Sequence, residues 1–501
     1  MLYKNLHIPI NLPSTKDREL LLDNSNLLII KEIQESDKLK LSSTIELFKN
    51  YFNNKISKII KKNLYFFFDE IIPIIYQSRH KKEGLYQLLR FTNKVVFNFP
   101  YIEALTANTI VYKNLSEVFL FSGYVANLVS DDLKILQVLQ PEFAIRLNGN
   151  ITYYKNVLDK IDLNIVDEEA LLDTLRRSHR FLKFQIIFAL INNEIDIDRS
   201  SKEYSLLAQA IFDISLKIAE KQIAKKYKIY NLNFSVIAYG RFANYSMTAN
   251  SDLDLVFIYE KCTEQEKSKQ KVYIELFRQL IKTLSSKTSE GFMYEVDTKL
   301  KPSGKEGPVA CTLDNFKNYH QKKSFCWEKL ALKKTRIINQ NNLNKKTSTL
   351  LNKLTGMTIS NDDLANEINK MTINLNDKDN KIDKKNGFKW FETKYVGGGQ
   401  RNIEFLNFFY SSEFYTNQYE IEKRKNINKK IENLYFKIDQ VVNISFLDQK
   451  QDNLPPNAVS LLITELGEKD LGSLKASVKS GKNEIFKNLI QIIESYKNKQ
   501  S

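Results

Sequence analysis

Apolar residues recur along the chain at two different periods, and the change from one to the other marks its centre. After Ser43-Thr44-Ile45-Glu46, whose spacing fits a capping box, Leu47, Phe48, Tyr51, Phe52, Ile56 and Ile59 follow at helical intervals. Pro73 ends or kinks the next helix. From about residue 84 to 145 short amphipathic helices are predicted between Pro100, Gly123 and Pro141, with Leu88, Phe91, Val118, Phe119, Val125, Ile135 and Leu139 on their apolar faces. Aromatic residues at this spacing read as core rather than as base-stacking platforms. Tyr153 to Ile191 continues as helix, and Arg176, Arg177 and Arg180 form a local basic patch that fits a solvated face or a phosphate contact. A longer helix, about Glu203 to Lys226, carries Leu207, Ile211, Ile214 and Ile218 on one stripe.

The period then changes to two. Phe234 to Tyr239 reads as a strand, broken by Gly240-Arg241-Phe242-Ala243-Asn244. In Ser251-Asp252-Leu253-Asp254-Leu255-Val256-Phe257-Ile258-Tyr259 the apolar Leu253, Leu255 and Phe257 alternate with Asp252 and Asp254, so both carboxylates emerge from one face. An amphipathic helix, roughly Glu264 to Leu284, places Tyr273, Phe277, Leu280 and Leu284 together. It leads to a strand predicted over Phe292 to Leu300, with Glu295, Asp297 and Lys299 on one face. Leu313 to Tyr319 and Phe325 to Leu332 return to helical spacing, with Trp327 as an anchor. Residues 339–386 are rich in Asn, Lys and Asp; they hold one helix capped at Ser360, and 376–386 is expected to be a mobile loop. Gly397-Gly398-Gly399 is a turn opening a helix near Arg401, whose N-terminus suits an anion. Residues 402–497 are helical with a break at Pro455-Pro456, and Leu406, Phe409, Leu434, Ile438, Val442 and Phe446 read as bundle core.

The predicted class is α+β: mostly helical, with one sheet domain flanked by helical domains. The expected boundaries are lead-in helices over 1–60, a helical scaffold over 61–195, the sheet domain over 196–345, a flexible linker with one helix over 346–386 and a helical bundle over 387–501.

Composition changes this picture little. The 501 residues carry a net charge of +16, which suggests an anionic partner. The lysines are interspersed with acids instead of forming a stripe, so a nucleic acid is not the expected partner and most charges belong to solvated faces. Cys262, Cys311 and Cys326 lack metal-ligand spacing and fit reduced thiols in the cytoplasm. His7, His80, His179 and His320 are scattered and read as structural, and no apolar run approaches the length of a membrane span.

The carboxylates carry the chemistry. Two unit charges about 4 Å apart repel by roughly 4 kcal/mol at an effective dielectric near 20, so Asp252 and Asp254 need a cation, a shared proton or open water. Mg²⁺ suits such oxygens and takes its remaining ligands from water and substrate phosphates. Taken alone, Asp-x-Asp is a weak signal that fits a solvated strand end better than a metal site; Asp297 and Lys299 on a neighbouring strand favour a two-metal phosphoryl-transfer site.

Four segments resemble the glutamine synthetase adenylyltransferases. They are Ser246 to Leu255, Gly291 to Gly304 followed by Gly307-Pro308-Val309-Ala310, Trp327 to Leu332 with Arg336, and Gly397 to Phe405. The resemblance implies a DNA-polymerase-beta-like nucleotidyltransferase sheet that moves AMP from ATP to a tyrosine of glutamine synthetase, with a PII-type signal protein as a further partner. It implies Asp252, Asp254 and Asp297 as catalytic Mg²⁺ ligands. Gly240, Arg241, Asn244, Ser251, Lys299, Lys301 and Arg336 are the nucleotide- or phosphate-binding candidates, Arg336 fitting ordinary salt bridging as well. Family members are about twice as long, with a removing half and an adding half; one sheet is evident here, and it is similar to the adding half. Three departures stand out. Lys299 and Lys301 replace arginines, Asn402 replaces an acid, and Ala243-Asn244 replaces a Gly-Gly pair, which should reshape a phosphate turn because Ala adopts positive φ poorly. Two other readings remain open: a nucleotidyltransferase acting on RNA or a small molecule, and a non-catalytic relative that binds glutamine synthetase or the signal protein.

Overall fold

The computed structural model describes residues 67, 70–75, 77–78, 81–95, 109–140, 147, 149–165, 167–263, 267–357, 366, 389–394, 396–410, 418–446 and 453–500. The lead-in helix after Ser43, the Ser360 helix and the 376–386 stretch lie outside them. The chain divides into two units, 1–146 with 445–458 and 147–444 with 459–501.

In the first unit the described helices are α1 (Lys81–Val95), α2 (Thr109–Phe121) and α3 (Gly123–Asp131), followed by a 3-10 turn over Leu133–Leu139. Their apolar faces close on one another: Leu88, Phe91, Leu115, Phe119, Val125, Ile135 and Leu139 are all buried. Phe91 sits 5.4 Å from Phe119 and 6.3 Å from Phe67, ring centre to ring centre. The aromatic residues of this region are therefore packing groups, as their spacing indicates.

The second unit begins with α4 (Ile151–Leu158), α5 (Glu168–Ile191) and α6 (Ile197–Tyr227). α6 starts six residues earlier than the apolar stripe suggests, because Asp196 caps it by accepting from the Arg199 N–H at 2.6 Å. The buried Glu203 on α6 accepts from Tyr154 Oη at 2.8 Å and from the Gly149 N–H at 2.7 Å, which fastens α4 to α6.

Five strands follow: β1 (Phe234–Tyr239), β2 (Leu253–Tyr259), β3 (Val296–Asp297), β4 (Ala310–Thr312) and β5 (Thr335–Ile337). Between and after them come α7 (Gly240–Ala243), α8 (Lys267–Ser285), α9 (Leu313–Lys322), α10 (Cys326–Leu332), α11 (Asn344–Thr355), α12 (Gln400–Phe409), α13 (Gln418–Ser445), α14 (Pro456–Leu466) and α15 (Leu471–Gln500). The sheet is small and mixed: β1 is antiparallel to β2 and β5, while β3 and β4 lie parallel to successive parts of β2. All six residues of β1 are buried, so both sheet faces are covered. One face packs Phe257 against Phe277 of α8 at 4.6 Å and Tyr259 against Tyr273 at 5.0 Å. The other, with Ile237, Tyr239, Val256 and Ile258, forms a core with Phe316, Leu332, Leu350, Leu351 and Leu354 of α9, α10 and α11.

Three expectations are corrected. The strand over Phe292 to Leu300 shrinks to Val296–Asp297, because Tyr294 is buried against His179 of α5, 4.7 Å between rings, instead of in a ladder. Arg176 is buried, and Arg177 and Arg180, though partly exposed, are engaged in ion pairs. Arg176 donates to the Ser286 carbonyl at 2.6 Å, and Arg177 and Arg180 pair with Glu290 at 3.1 and 2.6 Å, fixing the loop after α8. In α13 Tyr435 is fully buried, as are Ile438 and Val441, while Leu434 is only half-buried. No helix among the described residues is long and apolar enough to cross a membrane.

Candidate active site

Period-two alternation along β2 puts Asp254 on the same face as Val256 and Ile258, and Asp252 immediately precedes the strand in the same phase. β3 then runs parallel to β2 with Asp297 directly opposite Asp254, and the Leu253 N–H bonds the Glu295 carbonyl at 2.9 Å to fix that register. Each of the three aspartates offers an oxygen within 4.8 Å of the others. Asp252 is exposed; Asp254 and Asp297 are half-buried. Burial, reinforced by the charges of Asp252 and Asp297, pushes the Asp254 carboxyl up from 3.8 to about 7, against the lowering pull of Lys394 and Lys299. Three acceptor-only groups crowded this closely fit a divalent cation.

A value raised in the folded state means that Asp254 favours folding most below about pH 4, and this contribution is lost as the pH rises through about 7. Asparagine does not titrate. In metal-free buffer Asp254→Asn should therefore melt progressively higher relative to wild type from pH 4 to pH 8. Thermal melts at several pH values test this, and a constant difference between the two proteins would contradict it.

The turn after β1 approaches the carboxylates from the side. Gly240 has φ +58°, which favours glycine, and a Cβ there would stand 3.2 Å from Asp254 Oδ2, so a larger residue would press on that carboxylate. Its N–H bonds the Lys334 carbonyl at 3.1 Å. The expected strain at Ala243-Asn244 is absent: Ala243 is helical and Asn244 has φ −94° and ψ 8°. The left-handed residues are Gly240 and Tyr245, so neither 243 nor 244 needs a glycine. Among the described residues Arg336 on β5 forms no ion pair, and its donors are bonded instead to neutral acceptors. It donates to Gln209 Oε1 at 2.9 Å and to the Phe242 and Ala243 carbonyls at 3.2 and 3.3 Å, while its guanidinium sits 4.4 Å from the Tyr245 ring centre. Arg241 pairs with Asp439 of α13 at 2.5 Å. Ser251 Oγ accepts from the Thr248 N–H at 2.9 Å and so shapes the entry to β2.

Beyond β3, Lys299 folds back on Asp297, its N–H bonding Oδ1 at 2.8 Å and its Nζ Oδ2 at 2.5 Å. Lys301 is buried, and desolvation lowers its pKa while Asp297 opposes the change. Glu328 is a capping group, accepting from the Phe325 N–H at 2.8 Å and from Tyr319 Oη at 2.9 Å. The N-terminus of α12 is not an open anion cradle, because its leading amides are bonded internally. Gly398 N–H bonds Asn402 Oδ1 at 2.8 Å, Gly399 N–H the Val396 carbonyl at 2.9 Å and Gln400 N–H the Thr393 carbonyl at 2.7 Å. The buried Asn402 thus accepts the bond an acid would accept there, without the charge. Sequence reasoning missed Lys394, whose charge acts on Asp254, and Asp439, which holds Arg241. Only the neighbouring glycines offered a signal for the first, and nothing did for the second.

Residues 112–350 match the model of the family described as glutamate-ammonia ligase adenylyltransferase. A bifunctional glutamine synthetase adenylyltransferase/adenylyl-removing enzyme of Brucella melitensis is 34% identical over 183 residues, 34% of this chain and 18% of the relative. The protein of the same name from Alteromonas mediterranea is 27% identical over 302 residues, 56% of this chain and 30% of the relative. That from Mannheimia succiniciproducens is 24% identical over 333 residues, 63% and 34% respectively. The chain thus spans between about a fifth and a third of the curated relatives it matches. Over residues 112–350, which contain Asp252, Asp254 and Asp297, it is similar to the glutamate-ammonia ligase adenylyltransferases.

Proposed function

We propose that this chain transfers AMP from ATP to a tyrosine hydroxyl of glutamine synthetase, releasing pyrophosphate, and so adjusts nitrogen assimilation. One observation carries the reading: Asp252, Asp254 and Asp297 converge on adjacent parallel strands within the stretch that matches the family. Residues 196–345 are taken as a DNA-polymerase-beta-like catalytic domain, 61–195 as its helical scaffold and 387–501 as a helical bundle. The three aspartates would hold Mg²⁺, a choice supported by the crowding that raises Asp254. When bound, Mg²⁺ supplies Lewis acidity to the attacking hydroxyl and to the leaving pyrophosphate. Gly240 lets the backbone approach the phosphates, Arg336 fixes the turn that follows, and Lys299 and Lys301 offset phosphate charge as point charges without bidentate fit. A cytoplasmic location and a PII-type signal protein as partner belong to the same reading.

The acceptor is tested by incubating the protein with labelled ATP, Mg²⁺ and either purified glutamine synthetase or tRNA. Label on glutamine synthetase alone is expected. Label on tRNA would favour a nucleic-acid nucleotidyltransferase, in keeping with the +16 charge, and no label would favour a non-catalytic relative. A related expectation follows from the likeness to the adding half. Adenylylated glutamine synthetase incubated with this protein and phosphate should yield little ADP, and rapid phosphorolysis would sink that assignment.

A further inference from the structure

The stretch between β1 and β2 is buried at its middle, yet beyond the single turn of α7 it has no helix or strand of its own: Met247, Thr248 and Ala249 are all buried. Backbone groups buried outside a helix or a ladder need partners from elsewhere. The Met247 N–H donates to Ser205 Oγ of α6 at 3.2 Å, and the Met247 carbonyl accepts from Gln440 Nε2 of α13 at 2.9 Å. Gln440 is itself buried. One residue of the stretch is thus held at both its backbone groups by two helices far apart in the sequence.

Gln440 has two neighbours that hold the same stretch. Asp439, Gln440 and Asn443 lie three and four residues apart on α13 and so share one helix face. Asp439 pairs with Arg241, and the Asn443 carbonyl accepts from Asn250 Nδ2 at 2.7 Å. Asn443 belongs to the last turn of α13, where carbonyls lack a partner within the helix. The three contacts run from the residue after Gly240 to the residue before Ser251, so α13 holds the stretch at both ends and in the middle. Both ends reach the carboxylates. A Cβ on Gly240 would stand 3.2 Å from Asp254 Oδ2. At the other end Thr248 and Ser251 close a turn on each other: the Thr248 N–H donates to Ser251 Oγ at 2.9 Å, and the Ser251 N–H to the Thr248 carbonyl at 3.3 Å. Asp252 is the next residue, so a shift at Met247 passes through a closed turn to Asp252 instead of being taken up by slack chain.

We infer that this face of α13 positions the carboxylate site, with Gln440 as its principal positioning residue: by holding the Met247 carbonyl it fixes where Asp252 stands against Asp254 and Asp297. It acts through the backbone, not on the nucleotide. This rests on the nucleotidyl-transfer reading above, in which the three carboxylates share a divalent cation. Loss of the groups that orient metal ligands typically weakens a metal site by about 10- to 100-fold, and Gln440, which orients the chain leading to a ligand, belongs at the low end of that range.

The test is titration of wild type, Gln440→Met and Asn250→Ala with Mn²⁺ alone, the free ion being followed by electron paramagnetic resonance, with thermal melts on the same samples. Methionine keeps the length and bulk of the side chain and removes the donor. Measured where each protein is folded, Gln440→Met should weaken Mn²⁺ binding by about tenfold and Asn250→Ala by about threefold. The Asn250 side chain is exposed, so its removal leaves the fold in place, and that variant decides the matter if the melt shows Gln440→Met unfolded. A lowered melting temperature with unchanged Mn²⁺ affinity would make these contacts purely structural and overturn the inference, as would no change in either quantity; both results leave nucleotidyl transfer standing. A folded wild type that binds no Mn²⁺ overturns both.

Discussion

Asp254→Asn is expected to reduce AMP transfer by roughly a thousandfold or more while leaving the fold intact. Asp254 is the central member of the carboxylate set, opposite Asp297 across β2 and β3 and two residues from Asp252. The amide keeps the shape of the side chain and leaves the buried Leu253, Leu255 and Phe257 on the opposite face untouched. On the proposed function it removes one charged ligand of the metal, and Lewis-acid stabilisation of several kcal/mol, at about 1.4 kcal/mol per factor of ten, sets the scale of the loss. Initial rates at saturating ATP and Mg²⁺, with circular dichroism as a control on folding, give the answer. A folded variant with wild-type turnover and unchanged Mg²⁺ dependence would remove Asp254 from the site. Asp252→Asn should behave alike.

Arg336→Ala should lower stability by about 3 kcal/mol and raise the KM for ATP together. Hydrogen bonds from a charged donor are worth about 1.5–3 kcal/mol each, and Arg336 makes three, to Gln209 and to the Phe242 and Ala243 carbonyls. Exposure of the freed carbonyls to water recovers part of that total. The carbonyls belong to the turn that begins at Gly240, so their release displaces the backbone beside Asp254. Arg336→Lys should not rescue, since one ammonium cannot span three acceptors on two elements. Denaturant midpoints and ATP dependence measured on the same preparations test both parts. A normal midpoint with only a raised KM would return Arg336 to direct phosphate binding.

Much of the architecture was legible because it depends on local periodicity. The stripes Leu207, Ile211, Ile214, Ile218 and Tyr273, Phe277, Leu280, Leu284 are buried as their spacing requires. The alternation in β2 gave the shared face of Asp252 and Asp254. What was not legible depends on partners distant in sequence. Arg177 and Arg180 meet Glu290 more than a hundred residues on, and Arg241 meets Asp439 nearly two hundred residues on, so both looked available for phosphate when read locally. Tyr294 extended the expected third strand because burial against a helix and burial within a sheet leave the same apolar mark in a sequence. At Ala243-Asn244 the glycines of the resembled family suggested a positive φ that the backbone places at Gly240 and Tyr245 instead.

The most direct test of nucleotidyl transfer is to follow both ends of the nucleotide at once. The protein is incubated with glutamine synthetase, Mg²⁺ and ATP labelled at either the α- or the γ-phosphorus, and protein-bound label and pyrophosphate are counted together. The expected result is α-label on a glutamine synthetase tyrosine, no γ-label on any protein, and one pyrophosphate released per label bound, all lost in Asp254→Asn. Transfer of γ-label, or α-label that persists undiminished in that variant, would contradict the account.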